Sequence, residues 1–141
     1  MHKCLPTRDR LIRMGFSIDP VCPTCCQAPE TRSHLIYERA YAIKCFKLLH
    51  SRLHIRFRVQ DLVHWFSTVR RLTKLQKRFI SACHVALIYW LWRIRNEARM
   101  NAVVRRSEVL VLQVLHDIKA RVLALNNAPL LPRDQAWFQN L

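Results

Sequence analysis

Apolar positions along the chain recur at helical spacing. The clearest stretch covers residues 71–101, where Leu72, Leu75, Phe79, Ile80, Cys83, Leu87, Trp90, Leu91 and Ile94 fall three or four residues apart on one stripe. Tyr89 and Trp92 widen that stripe, as in a helix packed on more than one side. A second helix is predicted over residues 30–53 from Leu35, Ile36, Tyr41, Phe46 and Leu49. A short one is predicted over residues 7–15, with Thr7 as its start and Gly15 as its stop. Residues 107–125 predict a further helix, with Ser107 as N-cap and Asn126, Asn127, Pro129 and Pro132 ending it. QDLVHWF, residues 60–66, reads as a short helix or turn. Residues 20–29 must form a loop, and residues 129–141 read as a polar tail in which Trp137 and Phe138 dock on the body.

Composition strengthens the helical reading. There is one glycine in 141 residues, and β-rich folds spend more on their turns. The expected fold is all-α: a small helical domain with an N-terminal loop and one long buried central helix. Along the chain it divides into residues 1–53, a helical body at 54–128 that completes the core, and a Pro-containing tail at 129–141.

Charge narrows the function classes. Lys and Arg number 24 against 9 Asp and Glu, a formal net charge of +15. So large an excess repels itself and predicts affinity for polyanions, nucleic acid first and an anionic membrane surface second. Arg71, Lys74, Lys77 and Arg78 crowd the start of the long helix, against its dipole, which hints at an external anion there. The six cysteines come without a secretory signal and do not form a secreted disulfide framework. Phe79 to Trp92, the longest apolar run, falls short of the ~18 residues of a membrane span. A soluble, intracellular protein is expected, nuclear or cytoplasmic. Arg8, Arg10 and Arg13 loosely imitate a mitochondrial presequence, but Asp9 and Asp19 count against it.

The loop carries the metal chemistry. Cys22 and Cys25 have the Cys-x2-Cys spacing of half a tetrahedral zinc site, and His34 follows nine residues later. For a fourth ligand, Glu38 lies one helical turn after His34, and Cys4 reaches only if the first helix folds back. Cys45 on a continuous helix would be ~16 Å from His34, and Cys26 adjoins Cys25. Arg39 cannot ligate; its charge weakens metal binding nearby and adds to the basic surface. The candidate set is therefore Cys22, Cys25, His34 and Glu38, an incomplete zinc site in which the balance falls against bound metal. A three-ligand hydrolytic zinc with Glu30 or Glu38 as base is disfavoured, because nothing else builds a substrate cleft. His50 and His54, one turn apart, read as helix-surface residues able to share a surface metal or phosphate. No glycine loop or carboxylate pair suggests other catalysis, so no enzyme is expected.

Residues 5–46, LPTRDRLIRMGFSIDPVCPTCCQAPETRSHLIYERAYAIKCF, resemble the reverse transcriptase zinc-binding domain of plant LINE-type retrotransposons. The features that match are Leu5-Pro6-Thr7, Asp9-Arg10-Leu11, Cys22, Cys25, Glu30, and His34 to Glu38. A second block, IYWLWRIRNEARMN (residues 88–101), is similar to the family's downstream tryptophan-arginine-asparagine helix. The family's last cysteine falls on Arg39, Cys26 stands where it commonly has glycine, and its preceding tryptophan-rich segment is missing. The resemblance implies a non-catalytic domain that binds RNA or DNA without reading sequence. Its phosphate contacts are expected from Arg70, Arg71, Lys74, Lys77, Arg78, Arg105 and Arg106. The alternative is a helical protein-interaction or structural module, a degenerate retroelement remnant. It would bind neither nucleic acid nor metal and would contact partners through Trp137-Phe138 or Tyr89 to Trp92.

Overall fold

The computed structural model describes residues 5–55, 72–101, 105–125 and 129–141, with side chains in the long helix described through Glu97. The elements run α1 (Arg8–Arg13), a π-helical turn (His34–Glu38), α2 (Ala40–Arg52), α3 (Lys74–Asn101), α4 (Ser107–Leu125) and α5 (Pro132–Gln139). Among the described residues there is no strand, and Val21 and Pro29 form an isolated antiparallel bridge. The all-α expectation therefore holds. The 60–66 segment, Arg70 and Arg71 lie outside the described residues.

The long stripe builds the core as its spacing requires. Phe79, Ile80, Cys83, Leu87, Leu91 and Ile94 are all 0 % exposed along α3. They join Leu35 and Ile36 of the π-turn, Phe46 and Leu49 of α2, Leu110 and Val114 of α4, and Phe138 of α5 in one cluster. Helix α3 packs along α4, α2 packs on both, and the π-turn rests on α2 and α3. No helix among the described residues is long and apolar enough to cross a membrane.

Helix α3 begins with a reciprocal cap. The Gln76 backbone N–H donates to Thr73 Oγ1 (3.1 Å), and the Thr73 N–H donates to Gln76 Oε1 (3.1 Å), so two otherwise orphaned donors are satisfied. Thr73 Oγ1 in turn donates to Asp134 Oδ1 at 2.7 Å. Asp134 is 3 % exposed and places a negative charge at the positive end of the α3 dipole. The anion expected from outside the chain at this helix start is thus supplied from within it. The residues read as a polar tail form α5, which starts on Leu131 with Pro132 in its first turn. Phe138 and Trp137 meet Phe79 edge-on at centroid distances of 5.1 and 5.4 Å. A helix of 8 residues, mostly polar, is too short to display a period.

Two boundaries differ from the sequence reading. The expected 30–53 helix is not continuous: Arg39 is extended (φ −65°, ψ 130°) between the π-turn and α2. In α4 the Leu110 N–H donates to the Arg106 carbonyl (3.1 Å). That makes Arg106 the cap and Ser107 the first helical residue, its Oγ donating to Glu108 Oε2.

One buried ion pair ties the N-terminal loop to α3. Glu30 is 0 % and Arg95 3 % exposed. Arg95 Nε donates to Glu30 Oε1 at 2.6 Å and its Nη2 to Oε2, a two-pronged contact. The same Oε2 accepts the Arg8 backbone N–H (3.1 Å), capping α1 from 22 residues away. Thr7, predicted to start α1, holds the N-cap position without a side-chain cap bond. The Glu30 carbonyl accepts the Asp9 N–H and its N–H donates to the Pro20 carbonyl. Removing one member of such a pair strands the other charge. Arg95→Met is expected to lower unfolding free energy by about 3–5 kcal/mol, and adding Glu30→Gln to recover part of it, both read by urea denaturation.

Candidate metal centre

The loop between α1 and the π-turn is held by its own backbone before any metal is considered. Cys22 N–H donates to the Ala28 carbonyl (2.7 Å) and Cys26 N–H to the Cys22 carbonyl (2.9 Å). Arg8 Nη1 donates to the carbonyls of Asp19 (2.9 Å) and Val21 (2.7 Å), pinning the loop to α1. On this frame the donor atoms of Cys22, Cys25 and His34 lie within 4.8 Å of one another. Cys25 Sγ and His34 Nε2 are 3.2 Å apart, and both cysteines are free thiols. Cys22 and His34 are buried and Cys25 is half-buried.

The π-turn decides which residue accompanies His34. Its closing bond runs from the Arg39 N–H to the His34 carbonyl (2.9 Å), five residues apart. In an α-helix the residue one turn after His34, on its face, would be Glu38; in the wider turn it is the Arg39 backbone that closes on His34. Glu38 is accordingly exposed and is not among the mutually close donors. The sequence reading placed Glu38 in the ligand set because it assumed α-helical geometry. Arg39 is 3 % exposed, not part of the basic surface. Its guanidinium lies 5.3 Å from the Tyr41 ring centroid, and its three nitrogens have no hydrogen-bond partner.

The remaining cysteines and histidines are engaged elsewhere. Burial pushes the Cys45 thiol up to about 11 and the Cys83 thiol to about 12, so both stay neutral and unsuited to metal. Cys26 is exposed, with φ at +54°, the left-handed conformation that favours glycine. His50 does not pair with His54 on the surface. It is 5 % exposed, and its Nε2 lies 2.9 Å from His84 Nε2. The Ile80 carbonyl, 2.8 Å from His84 Nδ1, only accepts, so Nδ1 carries the proton and Nε2 accepts from His50. His54, at φ +53°, ends α2. Glu30, weighed as a catalytic base, has both oxygens bound to Arg95.

The expected phosphate-contacting residues do not form one patch. Lys74, Lys77 and Arg78 open α3, with Lys74 and Arg78 exposed. Arg105 and Arg106 lie beyond its other end, and 28 residues make α3 about 42 Å long. Arg105 is occupied: its Nη1 donates to Gln113 Oε1 (3.1 Å), and its guanidinium sits 5.2 Å from the Trp90 ring centroid. Sequence reasoning overlooked a cleft of about 520 Å³ between α1 and the start of the π-turn, bordered by Arg10, Arg13 and Arg32 with Thr7, Thr31 and Ser33. No spacing rule brings those residues together.

A family model described as zinc-binding in reverse transcriptase matches residues 1–46 of this chain. No curated protein matches, and no solved structure matches. The match contains the Cys22, Cys25 and His34 cluster and ends before α3, so the 88–101 block lies outside it. The donor set fits zinc chemically: two thiols and an imidazole, close enough to share an ion whose ligand atoms would stand about 3.4–3.8 Å apart. Cys22, Cys25 and His34 would hold it. Thr24 Oγ1, between the cysteines, is a buried hydroxyl without a partner, and a metal-bound thiolate is the acceptor such a group takes.

Two outcomes test the frame around the site. Cys26→Gly relieves the left-handed backbone without removing buried contacts and is expected to raise unfolding free energy by about 0.5–1 kcal/mol in urea titrations. Burial holds His84 below its ordinary value of 6.5. The unfolded chain therefore binds the proton first as pH falls. This contribution is complete above pH 6.5 and is lost as pH drops from there through the depressed folded value. Denaturation midpoints should decline on acidification across that window, and less steeply in His84→Gln.

Proposed function

We propose that the chain is a non-catalytic, basic nucleic-acid-binding domain descended from a plant LINE-type reverse transcriptase. It would contact RNA or DNA through the phosphate backbone without reading sequence. The observation that carries this reading is the net charge of +15 on a chain whose first third matches the zinc-binding family of reverse transcriptases. Lys74 and Arg78 are exposed beside half-buried Lys77 at the start of α3, and exposed Arg106 lies at the start of α4. These side chains, rather than the α3 terminus already capped by Thr73, Gln76 and Asp134, would supply the phosphate contacts. Such a domain would act inside the cell, in the nucleus or cytoplasm. The non-catalytic part of the reading is supported by the engagement of Glu30 with Arg95.

The alternative, a protein-interaction module, has less to work with. Phe138 is buried and Trp137 packs on Phe79, which leaves Tyr89, 53 % exposed, as the available part of the suggested aromatic surfaces.

Single-stranded RNA binding measured by fluorescence anisotropy across a salt series is the test. The affinity should fall steeply with salt, each phosphate contact adding about 0.7 to the log–log slope. Lys74→Glu/Lys77→Glu/Arg78→Glu should flatten that slope by about 2 while leaving helix content unchanged, since acidic residues suit a helix start. Absence of binding at low salt would discard the reading.

A further inference from the structure

We propose that the cleft between α1 and the π-turn seats the sugar–phosphate backbone of a single-stranded nucleic acid. The inference rests on the nucleic-acid reading above and adds a site other than the α3 and α4 cations. Three observations carry it.

The cleft gathers cations from two segments and leaves them an uncommitted charge. Arg10 and Arg13, on α1, and Arg32, just before the π-turn, border about 520 Å³ of space. That volume is in the range of small-ligand pockets, so a sugar–phosphate unit fits. Asp9 is the one acidic residue in the lining. Its Oδ2 accepts from Arg13 Nη2 at 2.9 Å, and its Oδ1 is buried. Arg10 is half-buried and enters no ion pair among the described residues, and Arg32 is exposed. The lining is therefore cationic after its own carboxylate has been answered.

Hydroxyl groups complete the donor set. Thr31 Oγ1 accepts the His34 N–H at 3.0 Å, which leaves its own proton to donate. Thr7 and Ser33, also in the lining, stand at the starts of α1 and the π-turn without a side-chain cap bond. The Arg8 and Asp9 N–H groups are spent on Glu30. Side chains, not the end of α1, are what a ligand would meet.

The lining selects backbone over base and strand over duplex. Leu5 is its apolar residue, and no aromatic ring lines it among the described residues. Bases are held by stacking on such rings, whereas guanidinium and hydroxyl donors match phosphate oxygens. A concave seat admits a flexible strand between its walls. A stiff duplex offers it only the outer edge of its phosphates.

Arginine footprinting on the full chain, with short oligouridylate as the probe, tests this. Modification by phenylglyoxal, read by mass spectrometry, should slow at Arg10 and Arg32 when the strand binds. A duplex RNA of equal length should protect them less. In a salt series, Arg10→Gln/Arg32→Gln should lower the log–log slope by about 1.4, two phosphate contacts at about 0.7 each. Arg52→Gln/Arg121→Gln removes the same charge from exposed positions on α2 and α4 and should leave the slope within error. Helical circular dichroism should be unchanged in both variants. The proposal is overturned if the parent binds the strand with Arg10 and Arg32 unprotected, if duplex protects them equally, or if both variants lose the same slope. In those cases the nucleic-acid reading survives without this site. A parent that binds no RNA at low salt discards that reading, and this inference with it.

Discussion

The contact between Glu30 and Arg95 holds the two halves of this molecule in register. The loop at 14–33 places no side chain in the hydrophobic core cluster and so has little apolar contact with which to fasten itself to the helices. Here it is fastened by a carboxylate that is 0 % exposed and a guanidinium that is 3 % exposed, joined through both oxygens. Because the same carboxylate caps α1, a single side chain sets where the first helix starts and how the loop meets α3. A charge pair is costly to bury unless its remaining valences are satisfied. Arg95 Nη1 meets that condition by donating to Asn96 Oδ1 at 2.7 Å. Cys22, Cys25 and His34 lie within the region this contact organises, so the geometry of the donor cluster depends on a residue more than sixty positions downstream.

The π-turn is the second constraint, and it acts on chemistry more than on packing. Widening one helical turn by a residue brings the Arg39 N–H, in place of that of Glu38, to the His34 carbonyl. It sends the carboxylate to water and buries the cation. What results is a cluster of three donors and, at the end of the same turn, a buried guanidinium that rests on the Tyr41 ring.

Much of the fold was legible because its signals are local and repeated. The α3 stripe, Leu75 to Ile94, runs for about five turns, so its periodicity is unambiguous, and Phe79, Ile80, Cys83, Leu87, Leu91 and Ile94 are buried as the spacing demands. The Cys22, Cys25 and His34 grouping was legible because Cys-x2-Cys on a tight turn leaves few other geometries. The failures share a cause. Helix α5 is too short and polar to show a period, and its stability comes from Asp134 on Thr73 and Phe138 on Phe79. The pairing of His50 with His84 rather than His54 follows from α2 lying on α3, which no spacing within α2 reveals. Placing Glu38 in the ligand set presumed the commoner helix.

The sequence by itself determined the helical class, the buried face of the long helix, the excess of positive charge and the three donors of the metal cluster. Each follows from residue type and short-range spacing, which the chain carries wherever it folds. Tertiary structure alone decided that Arg95 belongs to Glu30, that Asp134 answers the α3 dipole, and that Arg39 is buried while Glu38 is not. Those outcomes depend on which surfaces meet. A charged side chain reads the same in sequence whether it ends in water or in the core, and only the packed neighbours set its environment.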